Sequence, residues 1–179
     1  MYVNTGVSPA VNPIAGDLYA LPLSEFTTTP SPPNTPAPAI VFSDDEAGRS
    51  DSLGLTLVGD GQHLWVVDRA RNVLVVVDAA TDQVVNEIDL ASEFSDDPAP
   101  DMIAASPDGQ WVFMSLRGEL PLTGDMPEHH NAVGSTPGVG VMQVQDNGAS
   151  GTFTNLAPMT NVVDGVETSD THGIAVRQL

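Results

Sequence analysis

Asp101 and His172 are the pair whose residue types and spacing could do chemistry. Each opens an extended segment, Asp101 before Met102–Ser106 and His172 before Gly173–Arg177, and the two share one register position of an internal repeat. Carboxylate and imidazole together could hold Ca²⁺ or a transition metal, or bind a polar ligand, but two donors do not complete a ligand set. His129 and His130 form a second candidate inside the insertion Arg117–Gly138. Adjacent side chains point opposite ways in an extended chain, so only a turn would let both imidazoles face one ion. Arg69 and Arg117 share another register position, just after the second strand of successive repeats, where they could pair with nearby acids or receive an anion. Asp44-Asp45-Glu46, Asp96-Asp97 and Asp164/Glu167/Asp170 offer hard oxygen ligands, but none has the spacing of a known calcium loop. The sequence contains no G-x-S-x-G, H-E-x-x-H, phosphate-binding or dinucleotide-binding motif. No cofactor is identified.

Charge excludes some partners outright. The 179 residues carry 24 Asp+Glu against 5 Lys+Arg, a formal net charge of -19, and all five cations are arginine. A phosphate surface repels such a chain, which argues against nucleic acid and anionic membranes. A protein or a small molecule of unknown identity is the expected partner. The acidity fits either solubility through self-repulsion or adaptation to salty surroundings, where screening acts within about 3–8 Å. With no cysteine, disulfides, thiolate metal sites and a cysteine nucleophile are excluded. No apolar run approaches the ~20 residues that span a bilayer, so no membrane insertion is expected.

The elements that must position Asp101 and His172 are strands. Short β-branched and aromatic runs alternate with Gly, Pro, Asp and Asn, and helical periodicity is almost absent. Strands are expected near Tyr2–Thr5, Asp17–Leu21, Ala39–Phe42, Leu55–Val58, Leu64–Asp68, Val73–Asp78, Val84–Leu90, Met102–Ser106, Trp111–Ser115, Val139–Val144, Phe153–Leu156 and Gly173–Arg177. Asp60-Gly61, Thr81-Asp82, Asp108-Gly109 and Asp146-Asn147-Gly148 suit tight hairpins. Asp60–Val67 lines up with Asp108–Ser115, 48 residues later, and Met1-Tyr2-Val3 falls on Leu64-Trp65-Val66. One register position therefore carries Tyr2, Trp65 and Phe113. Leu53–Leu57 likewise corresponds to Asp101–Ala105 and to His172–Val176. Repeats of four short strands are the signature of propeller blades, in which neighbouring sheets cover each other's faces.

The stretch from Leu64-Trp65-Val66-Val67-Asp68 through Val73-Leu74-Val75-Val76-Val77-Asp78 to Thr81 resembles the YVTN-type β-propeller repeat, within the lactonase-like and WD40-like propeller superfamily. Ser106-Pro107-Asp108-Gly109 is similar to that family's hairpin between the first two strands of a blade. Trp65-Val66-Val67-Asp68 replaces the eponymous motif, and Tyr2-Val3-Asn4-Thr5 approximates it.

The expected fold is all-β, with blades of four antiparallel strands. Residues 1–52 form an incomplete blade with a Pro/Thr-rich loop at 24–39, and 53–97 a complete one. Residues 98–170 form a blade carrying the 117–138 insertion, and 171–179 the first strand of a further or shared blade. That makes about three blades, against the typical 4–8 of a closed ring. The reading is a fragment of a larger ring; self-association that closes the ring and an open wedge are the alternatives. The resemblance implies an extracytoplasmic binding or scaffolding propeller, with no leader in this chain. The alternative it implies is a lactonase-like or metal-dependent enzyme using Asp101 and His172 at the channel mouth.

Overall fold

A computed structural model describes residues 1–5, 16–26, 36–43, 51–120 and 133–177. Three antiparallel sheets dominate it. The first holds β1 (Tyr2–Asn4), β2 (Asp17–Ala20) and β3 (Ala39–Ser43) in that order. The second runs β4 (Ser52–Val58), β5 (His63–Asp68), β6 (Val73–Asp78) and β7 (Gln83–Asp89). The third runs β8 (Pro100–Ala105), β9 (Trp111–Leu116), β10 (Gly138–Gln145) and β11 (Ser150–Pro158). No α-helix occurs among the described residues, and none there is long and apolar enough to cross a membrane.

The sheets lie face to face in sequence order. First strand β4 lies against first strand β8, and the outer strands β3, β7 and β11 follow one another. The middle sheet is therefore covered on both sides, which explains its continuous apolar runs where a half-exposed strand would alternate. On β5 and β6, Leu64, Val66, Val75 and Val77 pack toward the first sheet with Leu18. Trp65, Val67, Leu74 and Val76 pack toward the third with Ile103, Met114 and Phe153. Each such side chain contributes about 1.5–3 kcal/mol by burial.

The hairpin turns sit where Asp, Asn and Gly predict them. Asp60 and Gly61 have φ of 55° and 82°, the left-handed pair that a two-residue hairpin turn requires. The expected aromatic position is also used alike in two sheets. The indole N–H of Trp65 donates to Gly148 O at 2.7 Å, in the outer turn of the third sheet. Tyr2 OH donates to Asp82 Oδ1 at 2.6 Å, in the outer turn of the second. Phe113 has no polar tip and lines a groove with Val139 and Ile174–Arg177.

Burial, then the hydrogen bond to Asp82, pushes the Tyr2 phenol up to about 12. Because the folded phenol holds its proton above the ordinary value of 10.0, its contribution to stability is fully present below pH ~10 and is lost as pH rises toward ~12. Absorbance titration of the two tyrosines should find Tyr2 ionising late. Tyr2→Phe should cost about 0.5–1.5 kcal/mol at neutral pH and flatten the loss of stability above pH ~10.

Two local expectations change. Gly173–Arg177, expected as a strand, forms no ladder among the described residues. It lines a groove with Phe113 and Val139 of the third sheet, and among the described residues it does not join the three strands of the first sheet. The reason is hydrogen-bond supply: a ladder needs a second strand beside the first, and among the described residues none pairs with this segment. A hairpin of β12 (Val162–Val163) and β13 (Val166–Glu167) was not expected, although Asp164-Gly165 between valines is a two-residue turn signal, with φ of 52° and 83°.

Candidate functional site

The inner ends of the sheets carry a buried ionic chain with Asp101 at its centre. Asp101 is wholly buried at the start of β8. Arg117, just after β9, donates through Nη1 to Asp101 Oδ2 at 2.7 Å, and Arg69, just after β5, reaches Asp101 Oδ1 at 3.5 Å. The His172 Nδ1 lies against Asp101 Oδ2 and 3.2 Å from Arg117 Nη1. The structure thus brings together four of the expected site residues.

The arginines act as repeated inter-sheet clamps. Arg69 donates through Nε to Asp51 Oδ2 at 2.9 Å, beside the first strand of its own sheet, and through Nη1 to Asp101 of the next. Arg117 takes Asp101 of its own sheet and forks onto Asp170 ahead, at 2.6 Å from Nε to Oδ1 and 3.0 Å from Nη2 to Oδ2. The planar guanidinium suits this bridging, since it presents several fixed donors at once. Backbone geometry repeats as well: Arg69 N donates to Asp51 O and Arg117 N to Ala99 O. Asp51, Ala99 and Asp170 therefore share one register position, two residues before Leu53, Asp101 and His172.

A second carboxylate ties the ends of the middle sheet. Asp68, also buried, accepts from Asp51 N at 3.0 Å and from Arg71 Nε at 3.0 Å, while Arg71 reaches Glu87 at 2.9 Å. Asn72 donates to Asp97 Oδ1 and accepts from Ala99 N, both at 2.7 Å, fixing the lead into β8. Ser115 Oγ donates to His172 O at 2.6 Å, and Thr171 Oγ1 donates to the backbone carbonyls of Leu116 and Gly138.

The other candidates are dispersed. Among the described residues no group of three His, Asp or Glu side chains is arranged to hold a metal ion. Asp170 belongs to the Arg117 fork, and Asp164 sits in the β12–β13 turn. Glu167 accepts from the amides of Asn161 and Ser169, which hold its carboxyl below the usual range. His129, His130 and Asp44–Glu46 lie outside the described residues, as do most of the 24–39 loop and of the 117–138 insertion. Asp51 was the residue the sequence reading missed. Its signal is the repeat alignment, which sets Asp51 and Asp170 in one column ahead of each first strand.

No protein-family model matches the chain, and no curated protein matches it. Solved structures do. A protein from Lactobacillus plantarum is 13% identical with a TM-score of 0.50, covering 84% of this chain and 37% of its own. A candidate 6-phosphogluconolactonase from Bacteroides uniformis is 14% identical with a TM-score of 0.51, covering 88% of this chain and 43% of its own. The fold is that of a partial β-propeller. Its three sheets are blades, numbered here one to three in chain order. This chain spans about two fifths of the length of those two structures.

Proposed function

We propose that this chain is part of a non-enzymatic binding or scaffolding propeller of YVTN type that works outside the cytoplasm. The observation that supports this reading is the engagement of Asp101. A channel-mouth enzyme would need the Asp101 carboxylate available to substrate or metal, and here it is fully buried in the Arg69–Arg117 clamp, while the His172 ring beside it stays exposed. The net charge of -19 favours a cationic protein or small molecule as ligand and disfavours nucleic acid. A lactonase-like activity is the second reading, favoured by the likeness in fold to the candidate 6-phosphogluconolactonase; a shared fold alone does not transfer chemistry.

The two readings separate in one assay. Purified protein and its His172→Ala variant are incubated with 6-phosphogluconolactone, and acid release is followed at constant pH. Neither is expected to exceed the buffer rate. Bound metal, measured after dialysis against Ca²⁺ or Zn²⁺, is expected to be equal in the two proteins. Turnover that His172→Ala abolishes, or metal that it releases, would establish the enzyme reading instead.

A further inference from the structure

The only Asn-Gly pair in the sequence is Asn147-Gly148, in the turn between β10 and β11. The fold demands that pair. Asn147 is left-handed, with φ of 56° and ψ of 33°, a conformation that Asn tolerates better than most residues. Gly148 follows with φ of 94°, and a Cβ on it would meet Val58 Cγ2 at 2.8 Å. Asn-Gly is also the dipeptide whose side-chain amide is most open to loss, since glycine has no side chain to shield its backbone nitrogen. The turn places this labile link at the joint between blades two and three.

Blade two holds the link shut. Asn147 Nδ2 donates to Gln62 Oε1 at 2.7 Å, and His63 Nδ1 donates to Asn147 O at 3.0 Å. The Trp65 indole N–H grips the next carbonyl, Gly148 O, at 2.7 Å. A Cβ on Gly59 would lie 1.8 Å from Asn147 O, so backbone meets backbone there. Asn147 O and the Gly148 nitrogen belong to one rigid peptide plane. Gripping that oxygen therefore fixes ψ at Asn147. Closing a ring onto Asn147 Cγ needs the Gly148 nitrogen swung round to eclipse Cβ. At ψ of 33° it points almost the opposite way.

We propose that Asn147 is a gated modification site, whose side-chain amide is lost to water only when the joint between blades two and three opens. In the open turn the Gly148 nitrogen gives up its proton and attacks Asn147 Cγ. A new Cγ–N bond forms, the Cγ–Nδ2 bond breaks, and Nδ2 leaves as ammonia with that proton. Water then opens the cyclic imide at either carbonyl, giving aspartate or its β-linked isomer, with no oxidation or reduction. The product does not restore the joint. It lacks the Nδ2 donor that Gln62 takes, and the β-linked isomer lengthens the backbone of the turn. Its carboxylate also falls in a pocket already lined by Asp60, Asp108 and Asp146, where like charges repel. A reversible local opening is thereby made permanent. The inference goes beyond the choice between binding and catalysis and holds under either.

The test follows the whole chain in mildly alkaline buffer, with peptide mass spectrometry locating each amide-to-acid exchange. Asn147 should exchange at least about tenfold more slowly in the folded chain than in urea, because the bonds of the joint must break first. His63→Ala and Trp65→Phe each remove one bond from the turn. Circular dichroism checks that both fold, and each should speed the exchange about three- to tenfold. Tyr2→Phe removes a bond between blades one and two instead, and should leave the rate at Asn147 unchanged. Asn147→Asp, which stands in for one product, should melt below the parent. A folded chain that exchanges as fast as the unfolded one would overturn the gate. So would joint variants no faster than the parent, equal acceleration by Tyr2→Phe, or an Asn147→Asp chain as stable as the parent.

Discussion

Replacing Asp101 with alanine is expected to destabilise the fold by about 3–5 kcal/mol, because it leaves buried arginine charge without its shared partner. That is a large part of the roughly 5–15 kcal/mol of a whole domain. Asp101 is fully buried, Arg117 is 1% exposed and Arg69 is 6% exposed, so water cannot replace the lost carboxylate cheaply. Urea unfolding of parent and variant should show a lower midpoint at a similar slope. Asp101→Asn keeps the shape and one acceptor, so it should fall between the two. A double-mutant cycle with Arg117→Met should give stronger coupling than one with Arg69→Met, following the contacts of 2.7 Å and 3.5 Å. Equal stability of Asp101→Ala and the parent would mean that the clamp does not hold the blades together.

The same clamp shows how far the sequence could be read. The β5 and β6 runs were legible because a strand covered on both faces has to be apolar throughout, and Leu64–Val67 and Val73–Val77 are. Arg69 and Arg117 were legible as a repeated position, and Asp101 and His172 as another. Which acid meets which arginine was not, since each arginine bridges two successive first strands. That pairing depends on how the sheets stack, and spacing within one repeat does not encode it. Gly173–Arg177 shows the reverse case. Its composition is that of a strand, but a strand is defined by hydrogen bonds to a neighbour, and among the described residues no strand pairs with it. The β12–β13 hairpin was written locally in Val163-Asp164-Gly165-Val166 and is short enough to escape a search for longer runs.

The aromatic register position makes the second large prediction. Trp65→Ala should cost about 3–5 kcal/mol, the range for emptying a buried aromatic site. The indole is fully buried between blades two and three, and Gly151 packs so close that a Cβ there would lie 2.5 Å from Cη2. Its N–H also satisfies Gly148 O, so truncation orphans an acceptor as well as opening a cavity. Trp65→Phe fills most of the space but loses that bond and should cost less. Phe113 occupies the equivalent place in blade three but is only half-buried. Phe113→Ala should therefore cost clearly less than Trp65→Ala. Thermal unfolding read by calorimetry ranks the variants. The gap between the two alanine variants measures what a covering blade adds. A Phe113→Ala cost equal to that of Trp65→Ala in an isolated chain would mean that blade three is already covered.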